Sequence, residues 1–326
     1  MSNLAQIASA IVASEVTAEQ KRLAVPLVER YIDRFKDDAK KFKVLAVENP
    51  WYMWLDDHTC IVGVMDANRY DIEHERYEDL ELKTRRAPRF KNNGEPYKGD
   101  TEQDWMNELA GSPQVGIYAL ARTRATFLSP LPPVGKPMIR VRAAVKSDGK
   151  VNKPSPIMIW PSQDDGLFTF SEAYLKQVES GLLNAAHAIR ALREYATFPW
   201  QMMGNWCTHF GKPCVFKAKK LPNGSYEDGV CTKGLNGDYV EPLTHLQRTD
   251  PGAQAIEAAL KEYPSGLASG RNLLVILSAS AYGDFAHCAE LWRLKSGGWF
   301  EKEESDAMNV GTAFHAGCAE FNRSML

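Results

Sequence analysis

Three short apolar runs separated by polar turns occupy the first quarter of the chain, and they narrow the folds open to it more than any other feature. Residues 43–48 and 59–64, rich in Val, Ile and Leu, are separated by Asp56-Asp57, and residues 77–83 follow the polar stretch 71–75. Runs of this length and composition favour β-strands, so a meander ending in a charged strand is expected. Helices frame it. Thr17 with Gln20 three residues on forms a capping box, and Leu23, Val25, Leu27, Val28, Tyr31, Ile32 and Phe35 give the helix that follows an apolar face despite Pro26. Thr101 with Asp104 caps a second helix carrying Trp105, Met106 and Leu109, and residues 113–122 read as a third after a Gly-Ser break. Farther on, residues 138–145 and 156–160 read as a paired, partly exposed hairpin, 171–195 as a long amphipathic helix, and 264–270 as a flexible linker.

At 326 residues and 44% apolar content the chain can bury a full core. One domain over 1–326 is expected, with core motifs in 43–145, a helical, cysteine-bearing region in 171–262, a linker at about 263–272 and a last segment over 273–326. The 39 Lys and Arg nearly balance 41 Asp and Glu, a formal charge of -2, so no global positive field marks a nucleic-acid partner and any such surface must be local. Lys83, Arg85, Arg86, Arg89, Lys91 and Lys98, with Glu95 as the one acid among them, offer either a phosphate-binding stretch or a solvated basic loop. No run of about 18 apolar residues is present and residues 1–16 lack a basic leader, which points to a cytoplasmic protein without a membrane partner.

The chemistry gathers at the end of the meander. Gly63-Val-Met-Asp66 closes the second run, and Asp79-Leu-Glu81-Leu-Lys83 places Glu81 and Lys83 two apart on a strand, hence on one face. Two carboxylates suit Mg²⁺ or Mn²⁺, which keeps waters and takes phosphate oxygens into its shell. A lysine beside such a metal orients or deprotonates the attacking water and stabilises charge on the phosphate. A Glu-x-Lys alone is more often a solvated, salt-bridged face. Gln114 and Tyr118, four apart on one helical face, can reach a phosphate or a metal-bound water, or simply pack.

The order Gly63 to Asp66, Glu81 to Lys83 and Gln114 to Tyr118 resembles the Gly-x-x-Asp, (Asp/Glu)-x-Lys and Gln-x-x-x-Tyr motifs of the RecB-like branch of the PD-(D/E)XK nucleases. The resemblance implies an α/β, restriction-endonuclease-like fold, a central mixed sheet flanked by helices, with a helical annex. It implies that Asp66 and Glu81 hold the metal, that Lys83 serves the attacking water, and that Gln114 and Tyr118 organise the substrate side. Members of this branch begin with Ser-x-Ser, a cysteine-bearing helix and a Gly-x-x-x-His helix whose histidine joins the metal site. Nothing before residue 50 fits that front, yet Ser278-Ala-Ser280, Cys288 and Gly311-Thr-Ala-Phe-His315 reproduce it in order at the other end. The motif order therefore resembles a circular permutation, with His315 as a third metal ligand expected beside Asp66. By itself, His315 on an apolar helix reads as a structural histidine, and His209 and His287 have no motif to raise them above that. Glu48 is read as a surface carboxylate.

Cys207, Cys214 and Cys231 lie among Gly, Pro and aromatic residues, and thiolates bind soft metals and iron-sulfur clusters. Iron-sulfur members of the branch take one cysteine from the front helix and three from beyond the core, so the resemblance implies a [4Fe-4S] cluster on Cys207, Cys214, Cys231 and Cys288. The gap from Cys214 to Cys231 is wider than in many members, which keeps a structural Zn²⁺ or plain core thiols as alternatives. Cys60 and Cys318 are expected to be small buried hydrophobes. The expected function is a Mg²⁺- or Mn²⁺-dependent DNA nuclease, an exonuclease of recombination or repair, with a recombination or single-strand-annealing protein as a candidate partner. The alternatives are a catalytically weak DNA-binding module on the same fold and an unrelated redox or zinc protein.

Overall fold

The computed structural model describes residues 6–7, 9–11, 17–86, 101–146, 158–162, 166–192, 208–209, 212–213, 218–220, 226–228, 251–263, 274–287 and 306–326. It is an α/β protein with a mixed central sheet flanked by helices. The chain divides into two compact units, one formed by Met1–Trp51, Gly63–Lys176 and Ser305–Leu326, the other by Tyr52–Val62 and Gln177–Glu304.

In the first unit, α1 (Ala18–Phe35) starts at the expected capping box, with the Thr17 hydroxyl accepting from Gln20 N and the Gln20 side chain accepting from Thr17 N. After the short α2 (Asp38–Lys41) come β1 (Phe42–Asp56), β2 (Thr59–Asp71) and β3 (Arg76–Arg86). These strands are longer than expected. The first strand was expected over 43–48, yet β1 runs on through Asn49-Pro50, with Glu48 at a positive φ of 48° and Leu128 N donating to Pro50 O at 2.9 Å. Asp66 consequently lies within β2 and does not end it.

Helices α3 (Glu102–Ala110) and α4 (Pro113–Arg124) connect β3 to β5 (Met138–Lys146), the two-residue β4 (Thr126–Phe127) intervening. The strand order is β4-β1-β2-β3-β5-β6, with β6 (Met158–Trp160) and β7 (Leu167–Thr169) both antiparallel to β5. β2 and β3 are antiparallel from Asp71 opposite Arg76 to Ala67 opposite Leu80, whereas β3 and β5 are parallel. β5 was expected to be partly exposed and is not: flanked on both edges and packed by α1 and α4, it buries Ile139, Val141, Ala143, Ala144 and Val145 completely. Its arginines are buried too. Arg142 and Arg69 converge on Asp38 (2.5 and 3.0 Å), while Arg69 and Arg140 hold Glu78 (2.5 and 2.7 Å).

One face of the sheet carries α1 and the C-terminal helix, which is α8 (Asp306–Arg323) once α5 (Glu172–Leu192), α6 (Pro251–Glu262) and α7 (Ala279–His287) are counted. Leu27, Val28 and Tyr31 of α1 meet Val310, Ala313, Phe314, Cys318 and Phe321 of α8 over Ala67, Leu80, Leu82 and Ala144. Each large apolar side chain so buried contributes roughly 1.5–3 kcal/mol. Gly317 lets the helices touch, since a Cβ there would lie 2.8 Å from Val28 Cγ2.

In the second unit, β12 (Val275–Leu277) runs parallel to Thr59–Ile61, and Ala255 and Ala259 of α6 pack on Tyr52, Cys60 and Val62. Ser278 Oγ accepts from Ala281 N at 3.1 Å and lies 2.9 Å from Ser280 Oγ at the start of α7. The remaining described pieces are two small antiparallel pairs, β8 (Thr208–His209) with β9 (Lys212–Pro213) and β10 (Ala218–Lys220) with β11 (Tyr226–Asp228). Among the described residues no helix is long and apolar enough to cross a membrane.

Candidate active site

The backbone of β2 brings Asp66 to the point where its ladder with β3 ends. One pair beyond Ala67 and Leu80, the Asp66 carboxylate stands in for a ladder partner: Oδ2 accepts from Leu82 N at 2.6 Å. Its other oxygen, Oδ1, is 3.4 Å from His315 Nδ1. α8 is fixed for this meeting by Phe314 and Cys318, which point into the core, and by Gly311, which lies so close to β3 that a Cβ would be 3.1 Å from Thr84 Oγ1.

On β3, Leu80 and Leu82 face α1 and α8, so alternation turns Asp79, Glu81 and Lys83 to the opposite face, under α4. Lys83 Nζ lies in short contact with Glu81 Oε1 and donates to Gln114 Oε1 at 2.9 Å. Gln114 Nε2 reaches Glu81 Oε1 at 3.1 Å and Tyr118 Oη at 3.2 Å. Among the described residues Glu81 Oε2 has no hydrogen-bond partner. The six expected residues of the centre thus lie in the first unit as two directly bonded groups, Asp66 with His315, and Glu81 with Lys83, Gln114 and Tyr118, which feel one another's charge.

The Gly63 of the Gly-x-x-Asp motif is required by packing. A Cβ there would stand 2.4 Å from Trp51 Cζ2, and the buried Trp51 ring meets the Tyr118 ring edge-on at 6.0 Å. Beneath Glu81, Asp79 Oδ1 accepts from Asn68 Nδ2 at 2.7 Å, Asn68 Oδ1 accepts from Asn49 Nδ2 at 3.0 Å, and Arg122 Nε approaches Asp79 Oδ2 at 3.3 Å. Trp51, Asn68, Asp79 and Arg122 were not singled out from the sequence. The signal was there for two of them: Arg122 continues the four-residue spacing of Gln114 and Tyr118, and Asp79 the two-residue spacing of Lys83 and Glu81.

The two carboxylates depart from their ordinary values in opposite directions. Burial pushes Glu81 up to about 7, with Lys83 pulling against the shift and the Asp66 charge adding to it. Asp66 is also raised by burial, but His315 and the Leu82 N–H outweigh this and hold it below the usual carboxylate range. Burial alone lowers His315, yet the Asp66 carboxylate, with Glu81 behind it, raises it above its ordinary value. Tyr118 is pushed well up by burial and by the Glu81 charge, so it keeps its proton. The side chains of His315 and Lys83 are 34% and 27% exposed, against 4% for Glu81.

As placed, no three His, Cys, Asp or Glu side chains among the described residues stand at ligating spacing. Cys60 and Cys318 are buried free thiols, as expected. The four expected cluster ligands, Cys207, Cys214, Cys231 and Cys288, lie outside the described residues, as do the side chains of His209 and His287, the linker and the basic stretch beyond Arg86. Glu48 is paired with Arg323 of α8 at the surface. Compared with known proteins, the chain matches no family model, no curated protein and no solved structure.

Proposed function

We propose that the chain is a Mg²⁺- or Mn²⁺-dependent deoxyribonuclease with a PD-(D/E)XK-type centre, an exonuclease acting on DNA ends in phage or bacterial recombination or repair. The observation that carries this reading is the approach of His315 to Asp66. A permuted motif order requires these residues to meet, and the apolar face of α8 that docks it on the sheet leaves His315 on the side of that carboxylate.

The donor set fits a hard divalent cation. Glu81 is a buried and Asp66 a partly buried carboxylate, close enough for one charge to raise the other, Glu81 Oε2 is uncommitted, and a cation between them would relieve that repulsion. Asp66 and Glu81 would hold the metal, with His315 beside them. When bound, the metal lowers the pKa of a coordinated water and draws charge from the phosphate. Lys83, tethered by Gln114, would hold the attacking water and face the charge that builds on the phosphate oxygens. Protonated Tyr118 is a hydrogen-bond donor beside it. Four cysteines, Cys207, Cys214, Cys231 and Cys288, are proposed to hold a [4Fe-4S] cluster, supported by their place in the motif order alone.

Digestion of end-labelled linear and circular DNA with and without Mn²⁺ tests the activity. Metal-dependent release of label from linear DNA with circles left intact is expected. Cleaved circles would make the protein an endonuclease, and binding without cleavage a DNA-binding module.

A further inference from the structure

Helix α4 and strand β3 face one another with two rows of side chains of nearly equal spacing. Gln114, Tyr118 and Arg122 recur every four residues on α4, about 6 Å apart along its axis. Lys83, Glu81 and Asp79 recur every two residues on β3, about 6.6 Å apart. The rows run antiparallel and pair in rungs: Gln114 with Lys83 at 2.9 Å and with Glu81 at 3.1 Å, then Arg122 with Asp79 at 3.3 Å, Tyr118 lying between. The upper rungs are the candidate centre. The lowest belongs to none of its chemistry.

That lowest rung is costly as structure. The Arg122 and Asp79 side chains are 4% and 1% exposed, and Arg122 Nε and Asp79 Oδ2 make no formed hydrogen bond despite their approach. Apolar residues commonly serve stability as well as a buried ion pair does. What an ion pair adds is a single preferred position, whereas apolar contacts let a helix slide along a strand. Asp79 is itself anchored through Asn68 to Asn49, so the rung ties α4 to three strands at once.

We infer that Arg122 and Asp79 are positioning residues that set the axial register of α4 on β3 and so hold Gln114 and Tyr118 against Glu81 and Lys83. Its consequence for catalysis rests on the nuclease reading; the register itself does not.

The test is a pair of variants read three ways. Arg122→Met alone strands a buried charge and lowers Tm. Asp79→Asn with Arg122→Met removes both charges, leaves an acceptor for Asn68, and is expected to recover Tm to near the wild-type value. A purely structural pair would then recover kcat as well. A positioning pair leaves kcat roughly 10²-fold down at unchanged KM, the scale of an ångström-sized misplacement. It also displaces the Gln114 side-chain amide resonance of the metal-free protein, assigned by its loss in Gln114→Ala. Recovered kcat with an unmoved amide overturns the proposal. Arg122→Lys keeps the charge should the double variant fail to fold: it is expected to hold the amide resonance and most of kcat, and a loss as deep as that of Arg122→Met rejects the register role. If the wild type cleaves no DNA, the nuclease reading fails on its own and the amide decides the register, displaced in support or unmoved against.

Discussion

His315 Nδ1 and Asp66 Oδ1 stand 3.4 Å apart, joining the last helix of the chain to the second strand of its sheet. The histidine is more than a neighbour, because its charge is among the forces that hold the partly buried Asp66 below the usual carboxylate range. His315→Ala should therefore weaken metal activation by about 10–100-fold, the usual effect of removing a partner that orients a metal-binding carboxylate. The check is the Mn²⁺ concentration for half-maximal cleavage; an unchanged value would exclude His315 from the centre.

Glu81→Gln and Lys83→Ala should each lower kcat by roughly 10²–10³-fold, the scale of losing one preorganised electrostatic group. Neither removes core volume. Glu81→Gln also removes a carboxylate that burial disfavours, so its Tm should equal or exceed that of the wild type. Wild-type cleavage by either variant would remove these residues from the mechanism.

For the cysteines the decisive measurement is composition. Anaerobically purified protein should be brown and carry about four irons, as a single [4Fe-4S] cluster requires. Cys288→Ser should lose iron and Tm together, since a group bound only by the folded form stabilises it. Colourless protein with one zinc would replace the cluster by a structural metal, and protein free of both would leave ordinary thiols.

What could be read from the sequence depended on how local the determining interactions are. Thr17 with Gln20 and Thr101 with Asp104 form capping boxes as read, because both partners lie within one turn. That Glu81 and Lys83 share one strand face, and Gln114 and Tyr118 one helix face, was legible through periodicity, whereas their selection as a site rested on the motif resemblance. The burial of β5 was not: Arg140 and Arg142 look like surface residues until Glu78 and Asp38 arrive from other elements to neutralise them. The extent of β1 was hidden by Asn49-Pro50, and the Asp79–Arg122 rung by the fact that its two rows align only once α4 lies against β3.

Gly63→Ala tests the packing behind the motif. The new Cβ would meet Trp51 Cζ2 at 2.4 Å and Cε2 at 2.7 Å, and the indole, fully buried against Tyr118 and Phe127, has no room to retreat. A loss of about 1–3 kcal/mol is expected from overpacking. Because the ring presses on Tyr118, kcat should fall with Tm. Gly135→Ala, where a Cβ meets nothing within 4 Å, is the control and should change neither; equal Tm for the two variants would contradict this packing.

The buried arginine network predicts how the fold responds to acid. Burial raises Glu78, but hydrogen bonds from Arg140 and the charges of Arg69 and Arg140 outweigh it, so its folded-state pKa lies below the ordinary 4.5. A depressed carboxylate contributes its stability above the unfolded value and loses it as pH falls through the folded one. The contribution of Glu78 to Tm should thus be complete above about pH 5 and decline as pH drops below the ordinary carboxylate range. Glu78→Gln leaves Arg69 and Arg140 facing a neutral amide in the core, which should cost about 3–5 kcal/mol near neutral pH. The gap in Tm between variant and wild type should then narrow in acid, where the wild-type carboxylate is itself protonated. A gap that stays constant from pH 7 to pH 3 would mean that Glu78 acts through shape and packing, with its charge making no contribution.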